Sequence, residues 1–312
     1  MKKFDFYISY LCAGKCSFCC VLDKINWFAE NHQPPHIPFE DVKEILDSKR
    51  ADGFGYVTFT GGEPTLHPRF IDILAHAKRL GMRTSVNSNM ASFANKEFCR
   101  DALPFMDEVV ASIHGHNAQL HNSITGTKKG FEKFNAAMDN ICRLPGDLYL
   151  ITDTVLINDN IPHISDILSF LLAIPKLRHV LFSNVNLPPD KLQGREHLVP
   201  TLMDIEKILP EIVRRVVGEA DRILRFYGLP FCTLGDYHAY SSDLYFEPKK
   251  VIERVIRKSE MVDREYAAPK PVMAKKKTDK CRPCVYFDTC GGFFNSYYML
   301  FGDSHIKPVL RT

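Results

Sequence analysis

What most constrains the fold of this chain is a change of period that repeats between residues 4 and 184. Phe4–Leu11 has the pattern of a strand, and Phe39–Lys49 has apolar residues at helical spacing. Tyr56–Thr60 is strand-like again, and Arg69–Leu80 is helical. Two short strand candidates, Thr84–Asn87 and Glu108–Ile113, flank a helical stretch at Lys96–Ala102. Phe131–Arg143 reads as a helix, Leu148–Ile157 as a strand, Ile161–Ala173 as a helix and Val180–Asn184 as a strand. Parallel neighbours need a long crossover, so strands alternating with helices predict βαβ units and a parallel sheet. About six repeats are too few for a closed eight-fold barrel but enough for an open or partial one. Sites in such folds collect at the C-terminal ends of the strands.

Beyond Asn184 the pattern changes. Asn186–Pro200 contains three prolines and reads as a loop. Met203–Val217 has helical spacing, with Pro210 expected to kink or split it. Lys249–Arg282 holds twelve Lys/Arg against five Asp/Glu, a local +7 within a chain of net +3. The plain reading is a solvated helix face followed by a mobile loop at Lys275–Lys277. The functional reading is a docking site for an acidic partner.

The small net charge argues against a nucleic-acid binder. No apolar run approaches the ~18 residues a membrane span needs. Asp5 interrupts the first apolar stretch, so no signal peptide is expected, and the protein is expected in the cytoplasm. Ten cysteines in a reducing compartment point to metal ligation or catalysis rather than disulfides.

Three of them form Cys12-Ala-Gly-Lys-Cys16-Ser-Phe-Cys19, directly after the first strand. Thiolates this close together can converge on one metal centre, and they suit zinc or iron–sulfur clusters. Three protein ligands leave one metal position open for a substrate or cofactor. Cys20 is read as a packed thiol, because adjacent cysteines rarely reach one cluster. A zinc site with a distant fourth ligand is the alternative. The second motif is Thr60-Gly61-Gly62-Glu63-Pro64-Thr65, between the second strand and a helix. Two glycines let the backbone come close to a ligand. Its peptide groups, with Glu63, could hold the ammonium or carboxylate of an amino acid.

The pairing of the cysteine motif after strand one with Gly-Gly-Glu-Pro after strand two resembles the radical S-adenosylmethionine (SAM) superfamily. The resemblance covers roughly residues 4–185. It implies an α/β fold, a partial (β/α)6 TIM-like barrel, and a [4Fe–4S] cluster on Cys12, Cys16 and Cys19. It also implies SAM chelating the open iron, with Gly61, Gly62, Glu63 and Pro64 beside its methionine part. Thr84-Ser-Val-Asn-Ser-Asn89 sits where the superfamily often has a Thr-Asn-Gly-like element, with Met90 in place of the glycine. Ser112-Ile-His-Gly115 and His121-Asn-Ser-Ile-Thr-Gly126 resemble the stretch after strand four in peptide and cofactor maturases. Asn87 and Asn89 are candidate contacts to SAM, or Asx caps of their loop. Asn184 is a candidate contact at the barrel mouth. His114 and His121 read as loop or capping residues. The implied chemistry is reductive cleavage of SAM to a 5′-deoxyadenosyl radical, which abstracts a substrate hydrogen. It needs a reductant such as flavodoxin or ferredoxin and implies oxygen sensitivity.

The remaining cysteine motif is Cys281-Arg-Pro-Cys284-Val-Tyr-Phe-Asp-Thr-Cys290, with Cys232 upstream as a natural fourth ligand. Four thiolates can close a second metal site, iron–sulfur or zinc. The segment resembles the single-cluster twitch extension, a reduced form of the SPASM extension. The resemblance implies one auxiliary [4Fe–4S] cluster and divides the chain into a core at 1–220 and a cysteine-rich unit at 221–312. Cys99 and Cys142 read as buried small hydrophobes.

The implied function is a radical SAM enzyme acting on a peptide, as in ribosomal peptide maturation, or on a small metabolite. The first cluster cysteine is already residue 12, so a peptide is expected to arrive on a separate delivery protein. Alternatives are a cyclase resembling the molybdenum-cofactor enzyme, a tRNA-modifying enzyme, and a non-catalytic iron–sulfur electron carrier. The terminal Val-Leu-Arg-Thr lacks the Gly-Gly expected of the cyclase. No RNA-binding module accompanies the basic tract.

Overall fold

The computed structural model describes residues 1–245, 249–257, 260–268 and 275–310. Seven strands run parallel and lie side by side in chain order. They are β1 (Lys2–Ser9), β2 (Phe54–Gly61), β3 (Arg83–Ser88), β4 (Glu108–Ser112), β5 (Tyr149–Leu156), β6 (Leu177–Asn184) and β7 (Ile223–Tyr227). Past β1 the sheet continues with β8 (Lys249–Arg257), parallel to β1, and β9 (Glu260–Ala268), antiparallel to β8. The crossovers carry α1 (Leu22–Glu30), α2 (Phe39–Ala51), α3 (Phe70–Arg79), α4 (Lys96–Ala102), α5 (Ala118–Thr125), α6 (Gly130–Arg143), α7 (Ile164–Leu172), α8 (Pro189–Leu192) and α9 (Leu202–Val213). The result is the expected α/β partial barrel, with β7 and β9 as its two open edges.

Alternation along the strands sets the two faces of the sheet. Phe4, Phe6 and Ile8 of β1, Val57 and Phe59 of β2, Phe182 of β6 and Phe226 of β7 are fully buried in the core with the helices. Burying each such side chain contributes about 2 kcal/mol. Most residues between them are polar, Asp5 and Tyr7, Thr58 and Thr60, Ser85 and Asn87, Ser112, Asp153, Ser183 and Tyr227, with Val110, Ile151, Val155 and Leu181 as apolar members of the same face. Register pairs them across the sheet, Asp5 with Thr58, Ser112 with Asp153 and Ser183 with Tyr227. The inner face is therefore a polar lumen, not the packed interior of a closed barrel.

Four expectations change. The sheet has a seventh parallel strand: β7 buries only Leu224 and Phe226 in five residues, too short an alternation to register as a strand. The basic tract forms the β8–β9 hairpin rather than a solvated helix face. Two of its lysines have partners there, Lys249 with Asp5 at 2.5 Å and Lys250 with Glu265. The Lys275–Lys277 segment is no mobile loop at its start, because Lys275 and Lys276 form a short strand and Lys275 is buried. Helix α9 runs through Pro210 and widens one turn later into a π-helix, Arg214–Glu219. Helices α1 and α5 escaped the sequence reading. No described helix is long and apolar enough to cross a membrane.

Candidate functional site

The first cysteine cluster lies on the loop between β1 and α1, and α5 forms its floor. Backbone hydrogen bonds run from Lys15 N to Thr125 O (2.8 Å) and from Ser17 N to Ile124 O (2.9 Å). Gly126 ends α5 with φ +61°, where a Cβ would lie 2.9 Å from Lys15 O. That glycine lets the loop and helix meet. Phe18, between two of the cysteines, packs edge-on to His114 at 4.8 Å, and His114 stacks on His121 at 6.0 Å. His114 Nδ1 accepts from Val155 N, and His121 Nδ1 accepts from His114 N. Burial pushes His114 down to about 3 and His121 down to about 4. Both are neutral supports of the loop.

The Gly-Gly turn packs directly on this loop. Gly62 N donates to Ser9 O and Glu63 N to Leu11 O, both at 2.8 Å. Gly61 has φ +138°, and a Cβ there would sit 2.0 Å from Ser9 O. A Cβ on Gly62 would sit 2.7 Å from Leu11 O and 3.2 Å from Cys12 Cβ. Pro64 is buried at the start of a single 3-10 turn. Glu63 is 1% exposed. Its Oε1 accepts from Thr65 Oγ1 (2.6 Å), Ser88 Oγ (2.9 Å) and Thr65 N (3.2 Å), and its Oε2 from Asn89 N (2.7 Å). Burial pushes the carboxyl up while these bonds oppose the shift. Glu63 thus fastens the end of β2 to the end of β3, which leaves the backbone of the turn as the part suited to meet a ligand.

Asn89 bridges the same elements. Its Oδ1 accepts from Ala91 N (3.0 Å) and its Nδ2 lies 3.9 Å from Cys12 Sγ. Asn89 therefore caps its loop and also reaches the first cysteine. The following Met90 has φ +67°, the conformation a glycine would take without strain. Asn87 is exposed on the lumen face. Asn184 is buried, its Nδ2 donating to Gly228 O (3.3 Å) and its Oδ1 without a partner. The β6 side chain that joins the lumen hydrogen bonding is instead Ser183.

The donor set on the loop fits a cationic cluster. Burial pushes Cys16 up to about 12 and Cys19 up to about 11, and neighbouring cysteine thiolates add to both shifts. Burial also raises Cys12, against hydrogen bonds from Gly14 N and Asn89. Crowded thiols become thiolates at neutral pH only when positive charge compensates them. Cys20 keeps exposed surface rather than packing inside, with Lys191 donating to its carbonyl. Cys99 is buried and Cys142 half-buried.

The lumen adds a residue that the sequence reading passed over. Asp153 Oδ1 accepts from Ser183 Oγ at 2.8 Å, and burial pushes its carboxyl up to about 6. Burial raises the Tyr227 phenol, and the negative charges of Asp243, Cys20, Asp153 and Asp5 add to the shift. The only sequence signal was an acid between two threonines within a strand, Tyr-Leu-Ile-Thr-Asp-Thr-Val-Leu.

The C-terminal cysteines also converge. Cys232 on α10 (Phe231–Leu234) lines one cavity with Cys281, Cys284 and Cys290, walled by Phe231, Phe287, Phe293 and Ile306. Burial pushes Cys232 up to about 11, and Cys290, Cys281 and Cys284 add to it. Cys290 Sγ accepts from Phe231 N (3.4 Å) and Gly292 N (3.3 Å). Four thiols, two N–H···S bonds and an apolar wall suit a protein-ligated cluster.

The family model described as the radical SAM superfamily matches residues 6–171. An S-adenosylmethionine-dependent nucleotide dehydratase of Flammeovirga pacifica is 30% identical over 123 residues, 39% of this chain and 41% of that protein. A PqqA peptide cyclase of Rhodopseudomonas palustris is 24% identical over 199 residues, 64% of this chain and 51% of that protein. The chain thus matches about half or less of these relatives' length. Streptococcus suis SuiB bound to S-adenosylmethionine shares the fold at TM-score 0.63 and 14% identity, over 99% of this chain and 76% of SuiB. SuiB has also been solved with its precursor peptide SuiA.

Proposed function

The chain belongs to the radical SAM superfamily, enzymes that use a [4Fe–4S] cluster, SAM and an external reductant; on that premise we propose that Cys12, Cys16 and Cys19 hold the cluster and that SAM binds beside Gly61–Pro64. The observation that carries this is the packing of the Gly-Gly turn on the cysteine loop, with Glu63 N donating to Leu11 O at 2.8 Å and room for no Cβ at Gly62 beside Cys12, which makes one site of two motifs distant in sequence. When bound, cluster and SAM supply a one-electron cleavage of a carbon–sulfur bond and the hydrogen-atom abstraction that follows.

The chain's own groups do the rest. The loop thiolates and Asn89 fix one side of the site, and the Gly-Gly turn, its N–H groups committed to Ser9 O and Leu11 O, offers backbone C=O groups to SAM. Asn87 and Asn184 Oδ1 are further proposed contacts. Asp153 and Ser183 orient the substrate in the lumen. Cys232, Cys281, Cys284 and Cys290 hold an auxiliary [4Fe–4S] cluster in a twitch-like unit at 221–312. That unit also lends β7, β8 and β9 to the main sheet.

We favour a peptide substrate, brought by a separate delivery protein, over a small metabolite. The support is a lumen lined by the polar face of an unclosed sheet and the likeness to SuiB, which has been solved with a peptide. Flavodoxin or ferredoxin in the cytoplasm suits the electron supply. The test is anaerobic reconstitution with iron and sulfide, then SAM and dithionite. Formation of 5′-deoxyadenosine that disappears in Cys12→Ala/Cys16→Ala/Cys19→Ala supports the reading. A reconstituted protein that neither binds nor cleaves SAM contradicts it and leaves an electron carrier.

A further inference from the structure

A buried ion pair stands between the lumen and the second cysteine cavity. Lys275 Nζ lies 2.6 Å from Asp243 Oδ2, and their side chains are 0% and 3% exposed. Lys275 is on β10 (Lys275–Lys276), which pairs antiparallel with β11 (Phe293–Phe294), just before α11 (Asn295–Phe301). The rings of Tyr227 and Phe294 flank its ammonium at 5.5 and 5.6 Å. Asp243 Oδ1 is buried and has no partner.

Both charges face the backbone beside Cys290. A Cβ on Gly291 would lie 2.6 Å from Asp243 Oδ2 and 3.1 Å from Lys275 Nζ. A side chain at 291 would displace the pair. After burial and two N–H···S bonds, Asp243 and Lys275 are the charges that act on the Cys290 sulfur, in opposite directions.

A buried ion pair is a weak device for stability, because desolvating two charges offsets their attraction. Fixed charges close to an iron–sulfur cluster have a different use. Reduction adds negative charge to the cluster, so its potential follows the local charge, the hydrogen bonds to sulfur and solvent exposure. In a dry wall the coupling is strong.

We propose that the Lys275–Asp243 pair sets the reduction potential of the cluster held by Cys232, Cys281, Cys284 and Cys290. The inference rests on the auxiliary cluster proposed above. Lys275 favours the reduced cluster, Asp243 disfavours it, and both are positioning residues rather than ligands. Tyr227, on the lumen side of the pair, places this electrostatic control beside the substrate space.

The experiment is an EPR-monitored redox titration of the full-length reconstituted protein in a Cys12→Ala/Cys16→Ala/Cys19→Ala background, which isolates the second cluster. Lys275→Met is expected to lower the potential, because it leaves Asp243 uncompensated. Asp243→Asn is expected to raise it. Opposite shifts cannot come from loosened packing, which acts in the same way in both variants. If methionine prevents folding, Lys275→Gln repeats the loss of charge with a hydrogen-bonding side chain. A cluster whose potential stays unmoved, or moves the same way in both variants, overturns the inference alone. A background protein without an iron–sulfur cluster overturns the auxiliary cluster reading and this inference with it.

Discussion

Asp153 holds its carboxyl inside the lumen with one hydrogen bond, from Ser183 Oγ, and burial pushes it up to about 6. A carboxyl raised in the folded state costs stability as pH rises above the unfolded value near 4, until the folded group also ionises. Asp153→Asn should therefore stabilise the protein at pH 7.5, by on the order of 2 kcal/mol. The gain should shrink as pH falls through 6 towards 4. Denaturant midpoints across that range check it, and a gain independent of pH contradicts it. His114 and His121 act in the opposite sense. Their folded values lie far below the ordinary histidine range, so the unfolded chain takes up protons first as pH falls below about 6.5. Lowering the pH from 7.5 to 5.5 should cost about 1 kcal/mol per histidine. Burial depresses His36, His67 and His179 as well and these add to the slope, so His121→Gln should remove one histidine's share, about 1 kcal/mol. An unchanged slope contradicts the neutral-support role.

At the scale of elements, the contacts that matter are those between the cysteine loop and its two glycine-bearing neighbours. Gly62→Ala forces Cβ against Leu11 O, and Gly126→Ala places a side chain at φ +61° against Lys15 O. Each should destabilise by about 1–3 kcal/mol. Each should also lower the iron retained at the first site and leave the second site loaded. Full iron at both sites in Gly62→Ala contradicts the shared-site geometry. These elements were legible because chemistry marks them: cysteines at short spacing and adjacent glycines between a strand and a turn. The helices α2, α3, α4, α6, α7 and α9 and six of the parallel strands were legible from period. Strand β7 was too short to show one. The β8–β9 hairpin was hidden because its lysines read as solvated charge, although Asp5 and Glu265 compensate two of them. Asp153 and the Lys275–Asp243 pair could not be read, since their meaning lies in partners that only the fold brings near.

Over the whole molecule, the seven proposed ligands form two separate sets, one on the loop after β1 and one in the cavity beside α10. They share no residue, although strands from both parts of the chain build one sheet. The account predicts two metal centres that load independently. The most direct measurement is iron and sulfide per chain after anaerobic reconstitution, in the wild type and in Cys12→Ala/Cys16→Ala/Cys19→Ala. Two four-iron clusters predict about eight irons in the wild type and about four in the variant. About four irons with one zinc in the wild type would replace the auxiliary cluster by a structural metal. A variant that keeps all its iron would contradict the assignment of the first cluster to these three cysteines.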